Sequence, residues 1–133
     1  MNNPLCKELK EKGEIEWNGK KIKLKDVCLP LQKPRKIVIA IDSKPCENIA
    51  AYAEKADILV CEATFAEKER RKAHDYFHMT AKDAARAAKK AGVGKLVLTH
   101  ISPRYDDPSI LEKEARTIFK NTVLAHDFMR IEL

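Results

Sequence analysis

Residues 37–42 read Ile37-Val38-Ile39-Ala40-Ile41-Asp42, five apolar residues closed by a carboxylate. A short continuous apolar run of this kind, without polar alternation, predicts a strand buried on both faces, as in a parallel sheet covered by helices. The pattern recurs twice downstream, in Ile58-Leu59-Val60-Cys61-Glu62 and in Leu96-Val97-Leu98-Thr99-His100. Three core strands therefore each end, at the carboxyl side, in an ionisable residue: Asp42, Glu62 and His100. That edge of an open α/β sheet is where ligands bind, so the three side chains are candidates for one site. Taken singly, each has an ordinary use: Asp42 as a helix cap, Glu62 as a loop acceptor, His100 as a satisfied histidine.

The segments between the runs read as helices. Pro45 sits where a helix can begin, with Ile49, Tyr52 and Ala53 on one face. Glu67-Lys68-Glu69-Arg70-Arg71-Lys72 reads as a solvated helix face. Thr80 and Asp83 form a capping box ahead of an apolar stripe of Ala81, Ala84, Ala85 and Ala88 that closes at Gly92. Asp107-Pro108 predicts an N-terminus for a helix burying Leu111, Ala115, Ile118 and Phe119. Val123-Leu124 and the alternating Met129-Arg130-Ile131-Glu132-Leu133 predict two terminal strands around a His126-Asp127 turn.

Upstream, residues 1–35 read as a lead-in, edge-like or poorly ordered. Asn18-Gly19 after Trp17 signals a hairpin, and Lys21-Ile22-Lys23-Leu24-Lys25 alternates like a half-buried strand. Pro30 and Pro34 separate it from the main domain, residues 36–133.

Composition bounds the class. With 133 residues, 44% hydrophobic and 35% charged, the chain suits one modest globular domain. No apolar run reaches the roughly 18 to 20 residues of a membrane span, and the first residues carry no charged leader with a hydrophobic stretch, so the expected location is cytoplasmic and no membrane partner is expected. Cys6, Cys28, Cys46 and Cys61 are widely spaced and contain no CxxC pair, which argues against a zinc ribbon and a disulfide scaffold; Cys61 is read as a buried structural thiol. The net charge of +6 suits a polyanion but is also what Lys- and Glu-rich surfaces give. No aromatic platform and no basic base-reading helix is evident, so generic nucleic-acid binding is not the expectation. His74 and His78 are spaced i, i+4 but lack the flanking HExxH glutamate, and a metal site through that pair is not expected.

The motifs in order are Ile41-Asp42-Ser43-Lys44-Pro45-Cys46, Cys61-Glu62-Ala63-Thr64-Phe65, His78-Met79-Thr80-Ala81 and Leu98-Thr99-His100-Ile101-Ser102-Pro103-Arg104-Tyr105. They resemble the ribonuclease Z family, from its Gly-Asp-Thr-Arg-Pro-Cys stretch onward, through its HEAT and HST loops to its last metal-ligand motif. The resemblance implies an α/β fold, the C-terminal half of a metallo-β-lactamase αββα sandwich, as one mixed sheet with helices on its outer face. It implies a zinc-dependent endoribonuclease that removes 3′ trailers from precursor tRNA, using two Zn²⁺ as Lewis acids.

Residue by residue, Asp42 is similar to the bridging metal carboxylate and His100 to a terminal imidazole ligand. His78 is similar to the proton donor of the leaving oxygen, and Glu62 to the glutamate that orients it. Arg104 stands where either a phosphate contact or a structural role is open. Two departures stand out: Ile41 and Ser43 replace a glycine and a threonine, and the family's His-x-His-x-Asp-His cluster is absent between Met1 and Asp42.

By this resemblance the chain supplies one half of the sandwich and is expected to be inactive alone, with the inner sheet face exposed. Several hundred Å² of apolar surface at about 25 cal/mol per Å² gives a driving force on the order of 10 kcal/mol for covering it. The expected partner is the missing N-terminal half or, alternatively, a second copy in a non-catalytic homodimer.

Overall fold

A computed structural model describes residues 4–27 and 34–133. The chain divides into two units, Met1–Pro34 and Arg35–Leu133. In the first, α1 (Pro4–Lys12) is followed by the antiparallel pair β1 (Glu14–Trp17) and β2 (Lys20–Lys23), then by the short α2 (Leu24–Val27). Asn18 and Gly19 both have positive φ, 49° and 71°, which is the type I′ turn that matches the right-handed twist of a two-residue hairpin. The hairpin is as the sequence predicts. The strand stops at Lys23, so Leu24 and Lys25 belong to α2 and not to the alternating run. The stretch Lys7 to Lys12 is helical, supported by the i, i+4 pair Lys12–Glu8 at 2.7 Å. Cys28 and Pro30 lie outside the described residues.

The second unit is built on four strands, β3 (Ile37–Ala40), β4 (Ile58–Glu62), β5 (Lys95–Thr99) and β6 (Thr122–Leu124), in the order β3-β4-β5-β6. Every pairing is parallel, with Ala40 opposite Cys61 and Cys61 opposite Leu98. Among the described residues this sheet is parallel throughout and not mixed. The expected last strand over Met129–Leu133 does not form. The chain turns at Asp127 and Phe128, Met129 donates its N–H back to His126, and the alternating segment finds no ladder. Alternation marks a half-buried segment, and a strand also needs a neighbouring edge.

Strands in sequential order, joined by right-handed crossovers, place every connection on the same side of the sheet. The crossover helices are α3 (Glu47–Tyr52), α4 (Arg70–Asp75, preceded by a 3₁₀ turn at Glu67–Glu69), α5 (Ala81–Ala91) and α6 (Ser109–Arg116). One core cluster joins Ile49 and Ala53 near α3, Ala84, Ala85 and Ala88 of α5, and Leu111 and Ala115 of α6 to Leu59, Cys61, Leu96 and Leu98 of the sheet. Alanine along α5 lets helix and sheet approach closely without large voids. Tyr52, expected on the buried face of α3, is instead 73% exposed, because that helix covers the edge of the core with Ile49 and Ala50 alone.

The opposite face carries Ile37 and Ile39 of β3, Ile58 and Val60 of β4, Val97 of β5 and Val123 of β6. Its exposure is narrower than the sequence reading implies. Ile58 and Val97 are buried at 4% each, whereas Ile37 and Ile39 on the edge strand are 52% and 65% exposed. No helix among the described residues is long and apolar enough to cross a membrane.

The helix starts and stops are local chemistry. Thr80 caps α5 and closes a reciprocal capping box with Asp83, and Gly92 ends it in the left-handed region. Asp107 accepts from the backbone and hydroxyl of Ser109 at the head of α6, doing the cap's work one residue before Pro108.

Glu67 and Arg70 are less solvated than their charged context suggests. Arg70 binds both Glu67 and Asp83, Arg86 binds Asp83 at 3.0 Å, and the Thr80 hydroxyl lies 2.9 Å from both Glu67 and Asp83. Burial pushes the Asp83 carboxyl up, but hydrogen bonds from His74 and Thr80, with the charge of Arg70, overcome this and hold it below the usual aspartate range. A carboxyl depressed in the fold contributes stability that is present above about pH 4 and lost as pH falls through its folded value. Asp83→Asn should therefore lower stability at neutral pH while losing less on acidification than the parent, measured by urea denaturation across pH 2.5 to 7.

Candidate active site at the carboxyl edge of the sheet

Four side chains meet where β3, β4 and β5 end. Asp42, Glu62, His78 and His100 each offer a ligand atom, and these atoms lie within 4.8 Å of one another. Of the three residues read from strand ends, all converge, and His78 joins them from the loop after α4.

Glu62 is the fixed point. It closes β4 and is fully buried, at 0% exposure, and it accepts from the Ser43 N–H, the Met79 N–H at 3.0 Å, the Thr64 hydroxyl at 2.9 Å and His78 Nδ1 at 3.1 Å. Backbone N–H groups can only donate, so the carboxylate acts as an acceptor throughout, and a buried charge is tolerable because its lone pairs are filled. His78 Nδ1 consequently donates to Glu62, and Nε2 takes no part in that bond.

The same counting fixes His100. The single Thr64 hydroxyl proton goes to Glu62, so Thr64 Oγ1 accepts from His100 Nδ1 at 3.1 Å, and Asp42 Oδ1 lies 3.3 Å from the same nitrogen. His100 Nε2 then carries the free lone pair, the form an imidazole takes as a metal ligand. Thr64 links the two pairs, and the sequence reading gave it no role. Its signal is the Glu-x-Thr spacing, since residues two apart at a strand end share a face.

Two of the converging residues are strained. Asp42 and His100 have φ of 51° and 55°, a left-handed conformation that non-glycine residues rarely adopt. Each turns the chain sharply at its strand end. Ile41 does not share this conformation, so its β-branched side chain meets no backbone conflict and lies 47% exposed.

Neighbouring groups frame the cluster. Phe65 packs near His78 with ring centroids 6.2 Å apart, and the His78 and His100 rings are 5.3 Å apart. The Arg104 guanidinium lies 4.7 Å over the Phe65 ring, donates to Ser102 and pairs with Glu69 at 2.9 Å, which is a structural engagement. Tyr105 donates to Glu69 and accepts from the Ala66 N–H; burial and that acidic partner push its hydroxyl up to about 12. Cys61, beneath Glu62, is fully buried, and burial with the adjacent glutamate pushes its thiol up to about 12, as suits a structural thiol. His74 bonds Asp83 while His78 bonds Glu62, so the i, i+4 pair does not act together. A separate cleft of about 300 Å³, lined by Cys46, Ile49, Met79, Arg86 and Lys90, shares none of the four converging residues.

In donor type the cluster fits zinc, since Asp42 and the free nitrogen of His100 are an oxygen and an imidazole ligand. In number it falls short. An open zinc site takes three protein ligands, and Glu62 and His78 are engaged with each other.

Residues 32–101 match the β-lactamase superfamily domain. The chain belongs to the β-lactamase superfamily. Within it the sequence is similar to ribonuclease Z, being 42% identical over 129 residues to the ribonuclease Z of Protochlamydia amoebophila, with 97% of this chain covered and 42% of that protein. Human tRNase Z, short form, is 30% identical and superposes with a TM-score of 0.59 over 84% of this chain and 36% of its own. The metallo-β-lactamase fold protein YhfI of Bacillus subtilis is 32% identical with a TM-score of 0.64 over 68% of this chain and 37% of its own. The chain spans about two-fifths of the length of the curated relatives it matches, 42% and 43% for the first two. The α/β superfamily fold with helices on one face is thus established by both sequence and structure.

Removing the buried carboxylate while keeping its donors exposes the cost of the arrangement. Glu62→Ala should destabilise the unit by roughly 3 to 5 kcal/mol, because two backbone N–H groups, a hydroxyl and an imidazole lose a common acceptor. Urea denaturation monitored by circular dichroism reads this; a change below about 1 kcal/mol would contradict the assignment of Glu62 as the organising group.

Proposed function

We propose that this chain is the portion of a ribonuclease Z-like endoribonuclease that carries the proton-donor pair and two metal ligands, acting on 3′ trailers of precursor tRNA. The observation that carries the reading is the convergence of Asp42, Glu62, His78 and His100 within 4.8 Å at the carboxyl edge of the sheet. In it, His78 gives a proton from Nε2 to the leaving 3′ oxygen, with Nδ1 held by Glu62 so that the ring keeps one orientation. Asp42 and His100 Nε2 would hold metal together with the further ligands, and the metal would supply Lewis-acid stabilisation of charge on the phosphate. Thr64 keeps the His100 ring turned so that Nε2 faces outward.

Two ligands do not complete a dinuclear site, so the reading requires further histidines from a separate N-terminal half or from another segment. The exposed Ile37 and Ile39 of β3, with Ile41 just beyond it, favour a partner, and a second copy of the chain is the alternative occupant of that edge, in a non-catalytic homodimer.

The isolated chain should hold much less than one zinc per molecule by elemental mass spectrometry. Co-expressed with the N-terminal half of a complete ribonuclease Z, it should hold two zinc ions and cleave a precursor tRNA. In that complex Asp42→Ala and His100→Ala should lose metal, whereas His78→Ala should keep it and lose about 10²- to 10⁴-fold in cleavage rate. A folded complex without zinc or cleavage overturns the enzyme reading, and a zinc-free dimer of the isolated chain by light scattering then supports the homodimer.

A further inference from the structure

The loop that delivers His78 begins at the end of α4, and that end has an unusual residue in it. Phe77 donates its N–H to the His74 carbonyl and His78 donates to the Ala73 carbonyl, with Phe77 at a φ of 61°. This is the Schellman arrangement, whose left-handed position is usually glycine. The same chain ends α5 with the same pair of bonds, Gly92 to Lys89 and Val93 to Ala88, and there the position is glycine at a φ of 64°. At α4 an aromatic residue stands in a conformation that costs about 1 kcal/mol or more for a side chain with a Cβ. Burial does not offset that cost, since Phe77 is 64% exposed and its neighbour Tyr76 is 65% exposed.

The Lys44 ammonium lies 5.4 Å from the Phe77 ring centroid. Lys44 follows Ser43, whose N–H binds Glu62, and Phe77 precedes His78, whose Nδ1 binds the same carboxylate. Glu62 therefore anchors both loops, one residue away from a cation on one side and an exposed ring on the other. An exposed ring with a cation over it, next to His78, matches an unpaired nucleotide: the base stacks on the ring surface that Lys44 leaves open and the adjoining phosphate meets the ammonium.

We infer that Phe77, together with Lys44, is a stacking platform for an unpaired nucleotide of an RNA substrate at the mouth of this site. The inference rests on the reading of the site as one that acts on RNA. Substrate binding by the ring then offsets the cost of holding Phe77 where a Schellman turn usually has glycine, and its direct linkage to His78 sets the base in register with that histidine.

The test uses the full chain and a 5′-fluorescein-labelled ten-nucleotide oligoadenylate, with anisotropy read in EDTA so that no metal contributes. Phe77→Gly keeps the turn and should leave thermal stability equal or higher, yet weaken oligonucleotide binding about tenfold, within the range for loss of one stacked base. Phe77→Tyr should bind like the parent, and Lys44→Gln should reduce the salt dependence by about 0.7 in the log-log slope. A parent chain that does not bind the oligonucleotide, or a Phe77→Gly variant that binds it equally well, overturns the proposal. Failure of the hydrolytic reading is separable, because loss of zinc binding with ring-dependent oligonucleotide binding intact removes the metal roles and leaves the platform.

Discussion

A single buried carboxylate organises the second unit around its carboxyl edge. Glu62 lies at 0% exposure at the end of β4, and four donors from three separate segments converge on its two oxygens. An ionised group in such a place is costly unless every lone pair is used, and here each bond that satisfies Glu62 also fixes another part of the site. The Ser43 N–H ties down the loop after β3, the Met79 N–H sets the entry to α5, the Thr64 hydroxyl turns His100, and His78 receives its tautomer. Stability and chemistry are therefore coupled through the same atoms.

The scaffold makes that convergence possible. Parallel strands in sequential order bring the ends of β3, β4 and β5 to one edge, and α3, α5 and α6 pack on the sheet face that carries Leu59, Cys61, Leu96 and Leu98. The capping box at Thr80 and Asp83 begins α5 immediately after His78 and Met79, while the Glu67, Arg70 and Arg86 contacts brace that corner from outside. The left-handed Asp42 and His100 then supply the sharp turns that bring two strand-end side chains within 3.3 Å. The hydrogen-bonded frame holds both positions in a left-handed conformation that aspartate and histidine enter more readily than most side chains.

Much of this was legible in the sequence because the signals were local. Apolar runs of strand length, the Thr80–Asp83 box, Gly92 and the Asn18-Gly19 turn each have a short-range physical cause, and Asp42, Glu62 and His100 were found from their common place after a strand. What was missed depended on three-dimensional neighbours. Met129–Leu133 alternates correctly and still forms no strand, because pairing requires an edge that the pattern does not encode. Thr64 sits within the quoted motif, but its role emerges only when His100 and Glu62 are known to lie on either side of it. Tyr76 and Phe77 belong to no local pattern, and only their exposure of 65% and 64% brings them out.

The two Schellman turns make the separation of folding from function concrete. At Gly92 the residue matches the backbone, and nothing further is needed to account for it. At Phe77 the identical backbone is imposed on a residue that resists it, and the next residue is the histidine bound to Glu62. A positive φ without glycine recurs at Asp42 and His100 in the cluster, and also outside it at Asn18, Lys55 and Phe128. Residue and backbone agree at Thr80 and Gly92, whereas the left-handed position falls to a non-glycine residue at Asp42, Phe77 and His100 around Glu62 and at Lys55 and Phe128 away from it. A positive φ alone therefore does not mark the site; Asp42, Phe77 and His100 are set apart because each lies one residue or one hydrogen bond from a group bound to Glu62, through Ser43, His78 and Thr64 respectively.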